Sequence, residues 1–288
     1  FRAFIVNKDK ENKQFNKFID LKIDDLMEGN IIIEVKYSSL NYKDGLAITG
    51  NSPIVKSWPM IPGIDFCGRV LESNDSEYNA GDKVILTGWG VGEKHYGGFS
   101  QIAKVKSDWL VKLPNKMNEQ HAMIIGSAGL TSMLCVMEIR NILNVCDGDI
   151  LVTGSSGGVG SFAVYILSKL GYNVIASTGK RNESEYLKKL GATSIIDRSE
   201  LNSKHKPLDK VRWSGVIDSV GSSTLANAIS HTKYGGIVVS TGLAQGADLN
   251  TTVFPFILRA VTLKGVESVF IKKEKRVEAW NKLSELID

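Results

Sequence analysis

Three glycines spaced three apart, Gly154, Gly157 and Gly160, lie in the stretch DILVTGSSGGVGSFAVYILSKLGY at residues 149 to 172. The first permits a tight turn, the second lets the backbone come up against a pyrophosphate, and the third lets a helix pack closely on the preceding strand. Ser156, Gly158 and Val159 complete the same turn, so amides at a helix N-terminus are candidates to hold the phosphates of a dinucleotide. Where an NAD-binding chain carries an acidic residue for the ribose 2′-hydroxyl, this sequence has Ser177-Thr178-Gly179-Lys180-Arg181. A carboxylate there repels a 2′-phosphate, whereas Lys180, Arg181 and the hydroxyls of Ser177 and Thr178 attract one. The expected cofactor is NADPH. The plainer reading of Lys180 and Arg181 is a solvated basic loop.

Two rival motifs fit the same stretch less well. A Walker loop needs a lysine at its end, and none follows Gly160 before Lys169. Gly154-Ser155-Ser156-Gly157-Gly158 does match the G-x-S-x-G nucleophile elbow, and Asp218 and His231 follow in hydrolase order. That elbow requires parallel strands before the serine, and the preceding chain does not read that way.

The elements that must position these residues follow from periodicity. Ile150, Leu151 and Val152 form a short apolar strand; Val159, Phe162, Ala163, Ile166, Leu167 and Leu170 then recur at helical spacing until Gly171. A helix is expected over 123–143, interrupted by the small residues at 126–129. Strands near 150, 173, 194, 215, 236 and 262 alternate with helices, which predicts a doubly wound parallel sheet. Residues 1 to about 120 read differently, as short strands over 31–35, 62–72, 82–87, 99–105 and 109–113 with glycine and proline between them. That pattern predicts an antiparallel barrel-like domain. Ligands of open α/β sheets lie at the carboxyl ends of strands, so Val220 and Gly221 after the fourth strand and Gly242 and Leu243 after the fifth are further cofactor candidates. Each glycine there has a plain turn reading too.

With 288 residues, 43% of them hydrophobic, the chain suits two domains, and its net charge of +4 is spread without a run that would suggest a nucleic-acid face. Cys67, Cys135 and Cys146 are widely spaced and read as core residues in a reducing compartment rather than a disulfide framework. No apolar run reads as a membrane span and no signal peptide is visible, so the expected location is cytoplasmic. Phe1 already sits in a strand-like pattern and Asp288 stands just past an amphipathic run, so terminal segments are expected to be missing.

Taken together, SSLNYKDGLAITG (38–50), PGIDFCG (62–68), GWGVGE (88–93), GLTSMLCVM (129–137), VTGSSGGVGS (152–161), STGK (177–180), TKYGG (232–236) and TTVFPFILRAVTLKG (251–265) resemble the zinc-independent medium-chain dehydrogenase/reductase superfamily. Within it the resemblance is to the acrylyl-CoA reductase group of quinone-oxidoreductase-like proteins. The resemblance implies a GroES-like antiparallel barrel over 1–120, a Rossmann NADPH-binding domain over 121–265, and at 266–288 the start of a return to the first domain. It implies a cofactor contact at Thr131, a homodimer joined at the edge strand near 262, and an enoyl-CoA or enone substrate. Zinc-dependent relatives carry a cysteine where this chain has Tyr42 and Gly-His-Glu where it has Gly63-Ile64-Asp65, so no zinc is expected.

Without a Lewis acid, a double bond conjugated to a carbonyl is the better hydride acceptor, because the charge it leaves on oxygen can be held by hydrogen-bond donors. The implied reaction is NADPH-dependent reduction of a short α,β-unsaturated acyl-CoA at the β-carbon. A quinone or enone reductase and a non-catalytic NADPH-binding module are the alternatives. Tyr42, at the lost metal position, is the first candidate for catalysis and substrate binding; the competing reading is a packed tyrosine. Asn41 could orient the nicotinamide or the substrate carbonyl, or simply stabilise a turn. Arg259, an isolated cation among apolar neighbours, reads either as substrate-binding or as a structural pair. Asp44 reads as a structural acceptor and Asp65 as a residual acid near the lost metal site. His95, His121, His205 and His231 show no ligand spacing.

Overall fold

The computed structural model describes residues 1–203 and 206–287; His205 lies outside them. The chain forms two compact units, one built from Phe1–Ser127 and Ser268–Glu285, the other chiefly from Ala128–Glu267.

In the first unit, β1 (Arg2–Lys8) and β2 (Gln14–Asp20) make an antiparallel hairpin. Five further strands, β3 (Ile31–Ser38), β4 (Asp65–Ser73), β5 (Lys83–Thr87), β6 (Ile102–Val105) and β7 (Leu110–Lys112), form an antiparallel sheet in the order β6-β3-β4-β5-β7. Ile31 and Ile33 point inward at the two-residue period of a strand and meet Phe66, Val84, Leu86 and Leu110 in one core. Each strand expected in this region is present. A helix unread in the sequence, α1 (Tyr42–Thr49), follows β3; Asn41 precedes it, Asp44 lies in its first turn, and Gly50 ends it at φ 69°.

The next helix, α2 (Glu119–Arg140), is broken at Gly126, where φ is 49° and ψ −155°. Contrary to the sequence reading, α2 is long and apolar enough to cross a membrane. However, 78% of its most apolar window is buried inside the protein. It is therefore a core helix.

The second unit runs β8 (Ile150–Val152), α3 (Gly158–Lys169), β9 (Val174–Thr178), α4 (Ser184–Lys189), β10 (Ser194–Asp197), β11 (Trp213–Asp218), α5 (Ser222–Ser230), β12 (Thr232–Ser240), α6 (Phe254–Arg259) and β13 (Thr262–Gly265). All adjacent pairs are parallel, and the order is β10-β9-β8-β11-β12-β13. This is the Rossmann arrangement, with its switch point between β8 and β11. Ile150, Leu151, Val152, Val216, Val238 and Val239 are fully buried because parallel strands are covered on both faces. The last helix, α7 (Lys273–Leu286), begins in the part of the chain that returns to the first unit, where it buries Arg276, Ala279, Trp280 and Leu283.

One contact sets how α3 meets the sheet. A side chain at Gly160 would fall onto the Gly154 carbonyl oxygen and come within 2.7 Å of the Ser155 Cα, both rigid backbone. Gly160→Ala is expected to destabilise the second unit by about 2 kcal/mol, as overpacking of a tight site does. Urea unfolding checks this, and an unchanged midpoint would show that the turn can relax.

Candidate functional site

The turn after β8 and the carboxyl ends of β9, β10 and β11 surround an open groove of about 720 Å³. That is the size of an ordinary cofactor or ligand cleft. Thr153, Gly154, Ser156 and Gly157 line one wall; Ser177, Thr178, Gly179 and Lys180 line the next. Gly154 sits at φ 58°, and a Cβ there would stand 2.6 Å from the Ser219 hydroxyl. A Cβ at Gly157 would meet only the Gly154 carbonyl, at 3.2 Å, so this glycine faces open space. Gly157 is also the cap residue of α3 and offers no side chain to its first amides. Free amides, a bare approach and the positive end of a helix dipole together fit a pyrophosphate. Ser156 and Thr178 are hydroxyl partners at 3.1 Å, and the Lys180 amide donates to the same Thr178 oxygen at 3.1 Å. The glycine turn is thereby tied to the loop that would meet the ribose.

The cations divide otherwise than the sequence suggested. Lys180 lines the groove, but Arg181 does not: its side chain is 89% exposed, with its Nε 3.4 Å from Asp197. The second cation in the groove is Arg198, directly after β10. A side chain at Gly179 would come within 2.5 Å of its Nε, so the missing Cβ is what lets Arg198 lie there. Arg198, Asn202, Thr224 and Gln245 line the groove and were not singled out from sequence. The strand-end rule that picked out Val220 would have found Arg198 had it been applied to the third strand.

The remaining candidates separate by what they touch. Val220 lines the groove. Gly158 packs against Ala128 (a Cβ there would meet the Ala128 methyl at 3.2 Å), and the Val159 carbonyl accepts from Ser132 at 2.6 Å. Gly221, at φ 77°, and Gly242 are glycines because the backbones of residues 219 and 246 pass too close for a side chain. Leu243 is 66% exposed, and Thr131 is buried in α2 outside the groove lining. Of the two readings of Arg259, the contacts match the structural one: its guanidinium donates to the carbonyls of Ser230 at 2.9 Å, Thr232 at 3.2 Å and Asp209 at 2.6 Å. It caps the carboxyl end of α5, where a cation is favourable. No hydrolase triad forms either, since Asp218 binds Thr153 while the His231 Nδ1 lies 2.7 Å from the Lys210 carbonyl.

In the first unit, a carboxylate cluster organises the start of α1. Asp65 is wholly buried and accepts from the Ser39 hydroxyl at 2.6 Å, the Ser39 amide at 3.3 Å, the Asn41 side chain at 3.1 Å and the Ser127 amide at 2.9 Å. The break at Gly126 is what frees that last amide, and a Cβ at Gly126 would stand 2.9 Å from the Asp65 carboxylate. Asp44 accepts from Gly63 at 3.1 Å, Ile64 at 3.0 Å and Asn41 at 2.9 Å. Asn41 gives its other amide hydrogen to Ser39 at 3.2 Å. Both of its side-chain donors thus meet protein acceptors, the contacts of the turn-stabilising reading of Asn41. Tyr42, next to it, is 83% exposed, and its phenol has no hydrogen-bond partner among the described residues.

A GroES-like unit followed by a dinucleotide-type Rossmann unit is the architecture of medium-chain dehydrogenases and reductases. The Alcohol dehydrogenase GroES-like domain family matches residues 27–115, and the Zinc-binding dehydrogenase family matches residues 158–287. The acrylyl-CoA reductase AcuI of Ruegeria pomeroyi is 46% identical over 287 residues, covering 99% of this chain and 87% of its own. The yhdH oxidoreductase from Salmonella enterica, solved in complex with NADP, superposes with a TM-score of 0.97 at 47% identity, over 100% of this chain and 89% of that one. The Bacillus subtilis protein yhfP, solved with NAD bound, gives 0.95 at 41% identity, over 100% and 88%. The chain belongs to the medium-chain dehydrogenase/reductase superfamily, in its quinone-oxidoreductase-like group with the acrylyl-CoA reductases.

Zinc does not fit the residues present. Tyr42 and Ile64 supply no thiolate or imidazole, and the nearby carboxylates are already engaged, Asp65 by four hydrogen bonds and Asp44 by three. Among the described residues no group of three or more His, Cys, Asp or Glu could hold a metal.

Two expectations follow. Arg198→Ala should weaken NADPH binding by about tenfold or more while changing NADH little, and Arg181→Ala should change either by less than about threefold. Fluorescence titration of both nucleotides checks this; the reverse ranking would return the phosphate to Arg181. Burial, partly countered by the Asn41 and Ile64 amides and reinforced by the Asp65 charge, lifts Asp44 from 3.8 to about 6. A carboxyl raised on folding contributes stability that is present below its unfolded value and lost as pH rises through the folded one. Wild type should therefore lose more unfolding free energy than Asp44→Asn between about pH 4 and about pH 6, measured by urea unfolding. Parallel profiles would remove Asp44 as the cause.

Proposed function

We propose that this protein is an NADPH-dependent reductase of the carbon–carbon double bond of a short α,β-unsaturated acyl-CoA. The observation that carries this reading is the 46% identity, over nearly the whole chain, to an acrylyl-CoA reductase. The preference for NADPH over NADH rests on Lys180 and Arg198 in the groove, with no carboxylate among the groove-lining residues.

The bound nicotinamide would supply the hydride that adds to the β-carbon. The chain's own residues have three tasks. The free amides at the head of α3 neutralise the pyrophosphate, and Lys180 with Arg198 holds the 2′-phosphate. The Tyr42 phenol donates a hydrogen bond to the thioester oxygen, where negative charge grows as the β-carbon is reduced. Asn41, Ser39 and Asp65 fix the first turn of α1 and so the starting point of the Tyr42 side chain.

A homodimer fits the exposed sheet edge. All four residues of β13 are exposed, and α6 beside it presents Ile257 and Leu258 to solvent. A second copy would cover that edge. Cys67, Cys135 and Cys146 are all free; the first two are buried, while Cys146 is exposed rather than the core residue expected, and three free thiols suit a cytoplasmic, reducing setting.

The test is an acceptor screen. Acrylyl-CoA should oxidise NADPH, seen as loss of the reduced nicotinamide's absorbance. Turnover with quinones but with no enoyl-CoA would sink the thioester reading in favour of a quinone reductase, and binding without turnover would leave a cofactor-binding module. Tyr42→Phe should lower kcat by about a hundredfold, as loss of an oxyanion donor does, with NADPH affinity unchanged within about twofold. Full activity would remove Tyr42 from the chemistry.

A further inference from the structure

Asp218 ends β11 and is fully buried, yet it does not line the cofactor groove. One carboxylate oxygen accepts from the Thr153 hydroxyl at 2.6 Å, the other from the Gly221 amide at 2.8 Å. The Thr153 hydroxyl in turn accepts from the Ser219 amide at 3.2 Å, and the Ser219 hydroxyl donates back to the Thr153 carbonyl at 3.2 Å. These bonds lock together the carboxyl ends of β8 and β11, the two strands that flank the switch point of the sheet.

What is locked is the groove wall itself. Thr153, Ser219 and Val220 line the groove, and the turn they belong to runs on through φ 77° at Gly221 and 49° at Ser222. Such a turn holds its shape only if its buried polar groups are satisfied. A further wall residue hangs from it: the Gln245 amide donates to the Val220 carbonyl at 2.8 Å, and the Gln245 side chain accepts from the Thr224 hydroxyl at 2.9 Å.

We propose that Asp218 is a positioning residue for the nicotinamide dinucleotide, holding Thr153 and the turn at 220 and 221 in the arrangement the cofactor needs. The inference rests on the groove being the cofactor site. Asp218 acts through its neighbours, so its removal is read in cofactor affinity and not in acyl-CoA recognition.

The experiment uses the full chain and NADPH as the probe. Asp218→Ala leaves the Gly221 amide and the Thr153 hydroxyl unpaired and is expected to raise the NADPH Kd by about tenfold or more. Asp218→Asn keeps an acceptor for the Gly221 amide and turns its NH2 to donate to the Thr153 hydroxyl oxygen, reversing that bond, and should restore the Kd to within about threefold of wild type. Thr153→Val, close in shape and able to fold should Asp218→Ala not, is expected to raise the Kd by about fivefold, with Thr153→Ser restoring it. In each folded variant the KM for acrylyl-CoA stays within about twofold, which a general loosening of the fold would not produce. If wild type binds no nicotinamide dinucleotide, the functional reading and this inference fall together. If wild type binds while Asp218→Ala or Thr153→Val binds equally well, or if the acyl-CoA KM rises in step with the cofactor Kd, the positioning role alone is overturned.

Discussion

A helix whose first amides meet no capping side chain is the constraint on which the second unit depends. Helix starts are ordinarily closed by serine, threonine, aspartate or asparagine, and α3 begins instead at Gly157. The sequence therefore forgoes local helix stability at a place where an anionic ligand can supply the missing acceptor. Keeping that start open requires compensation nearby. The apolar face of α3 buries Ala163, Val164, Ile166 and Leu167, and the bare Gly160 brings it into contact with the turn after β8. Packing thus holds a helix end that hydrogen bonding does not.

Buried carboxylates solve the opposite problem elsewhere. Asp65 and Asp218 both lie in desolvated positions that raise their carboxyls above the ordinary range. Each collects donors from backbone that has no regular partner: the Ser127 amide freed by the break in α2, and the Gly221 amide in a left-handed turn. A buried charge is costly unless it is hydrogen-bonded, and an irregular backbone amide is costly unless it is accepted. Putting the two together satisfies both. It also explains why these irregular segments, at the start of α1 and at the end of β11, have defined shapes.

Much of the fold was legible because it follows from periodicity. Parallel strands read as continuous apolar runs, the barrel strands as short segments between glycines and prolines, and α3 as a three-and-four repeat. The helix α1 was not legible: it has eight residues, only Asp44 and Ala47 buried, and it depends on polar contacts at its start that come from β4 and the Gly63 turn. The membrane-length character of α2 was missed because Gly126 was read as an interruption, and only burial shows where its apolar surface goes.

Charge was the least legible property, and the reason is geometric. Arg181, Arg198 and Arg259 are all arginines close to strand or helix ends, and their charge alone does not rank them. The structure gives them three fates: Arg181 reaches solvent, Arg259 is consumed by the carbonyls at the end of α5, and Arg198 lies across the bare Gly179 into the groove. What separates them is which backbone atoms come within reach, a tertiary fact. The sequence does carry the complement of that fact, since a residue without a Cβ must stand where the guanidinium lies. Gly179 was read as part of a loop, yet it is the space it leaves, as much as the charge of Lys180, that makes a second cation available to a 2′-phosphate. Cofactor selectivity in such a groove is therefore written jointly in a cation and in the glycine that admits it.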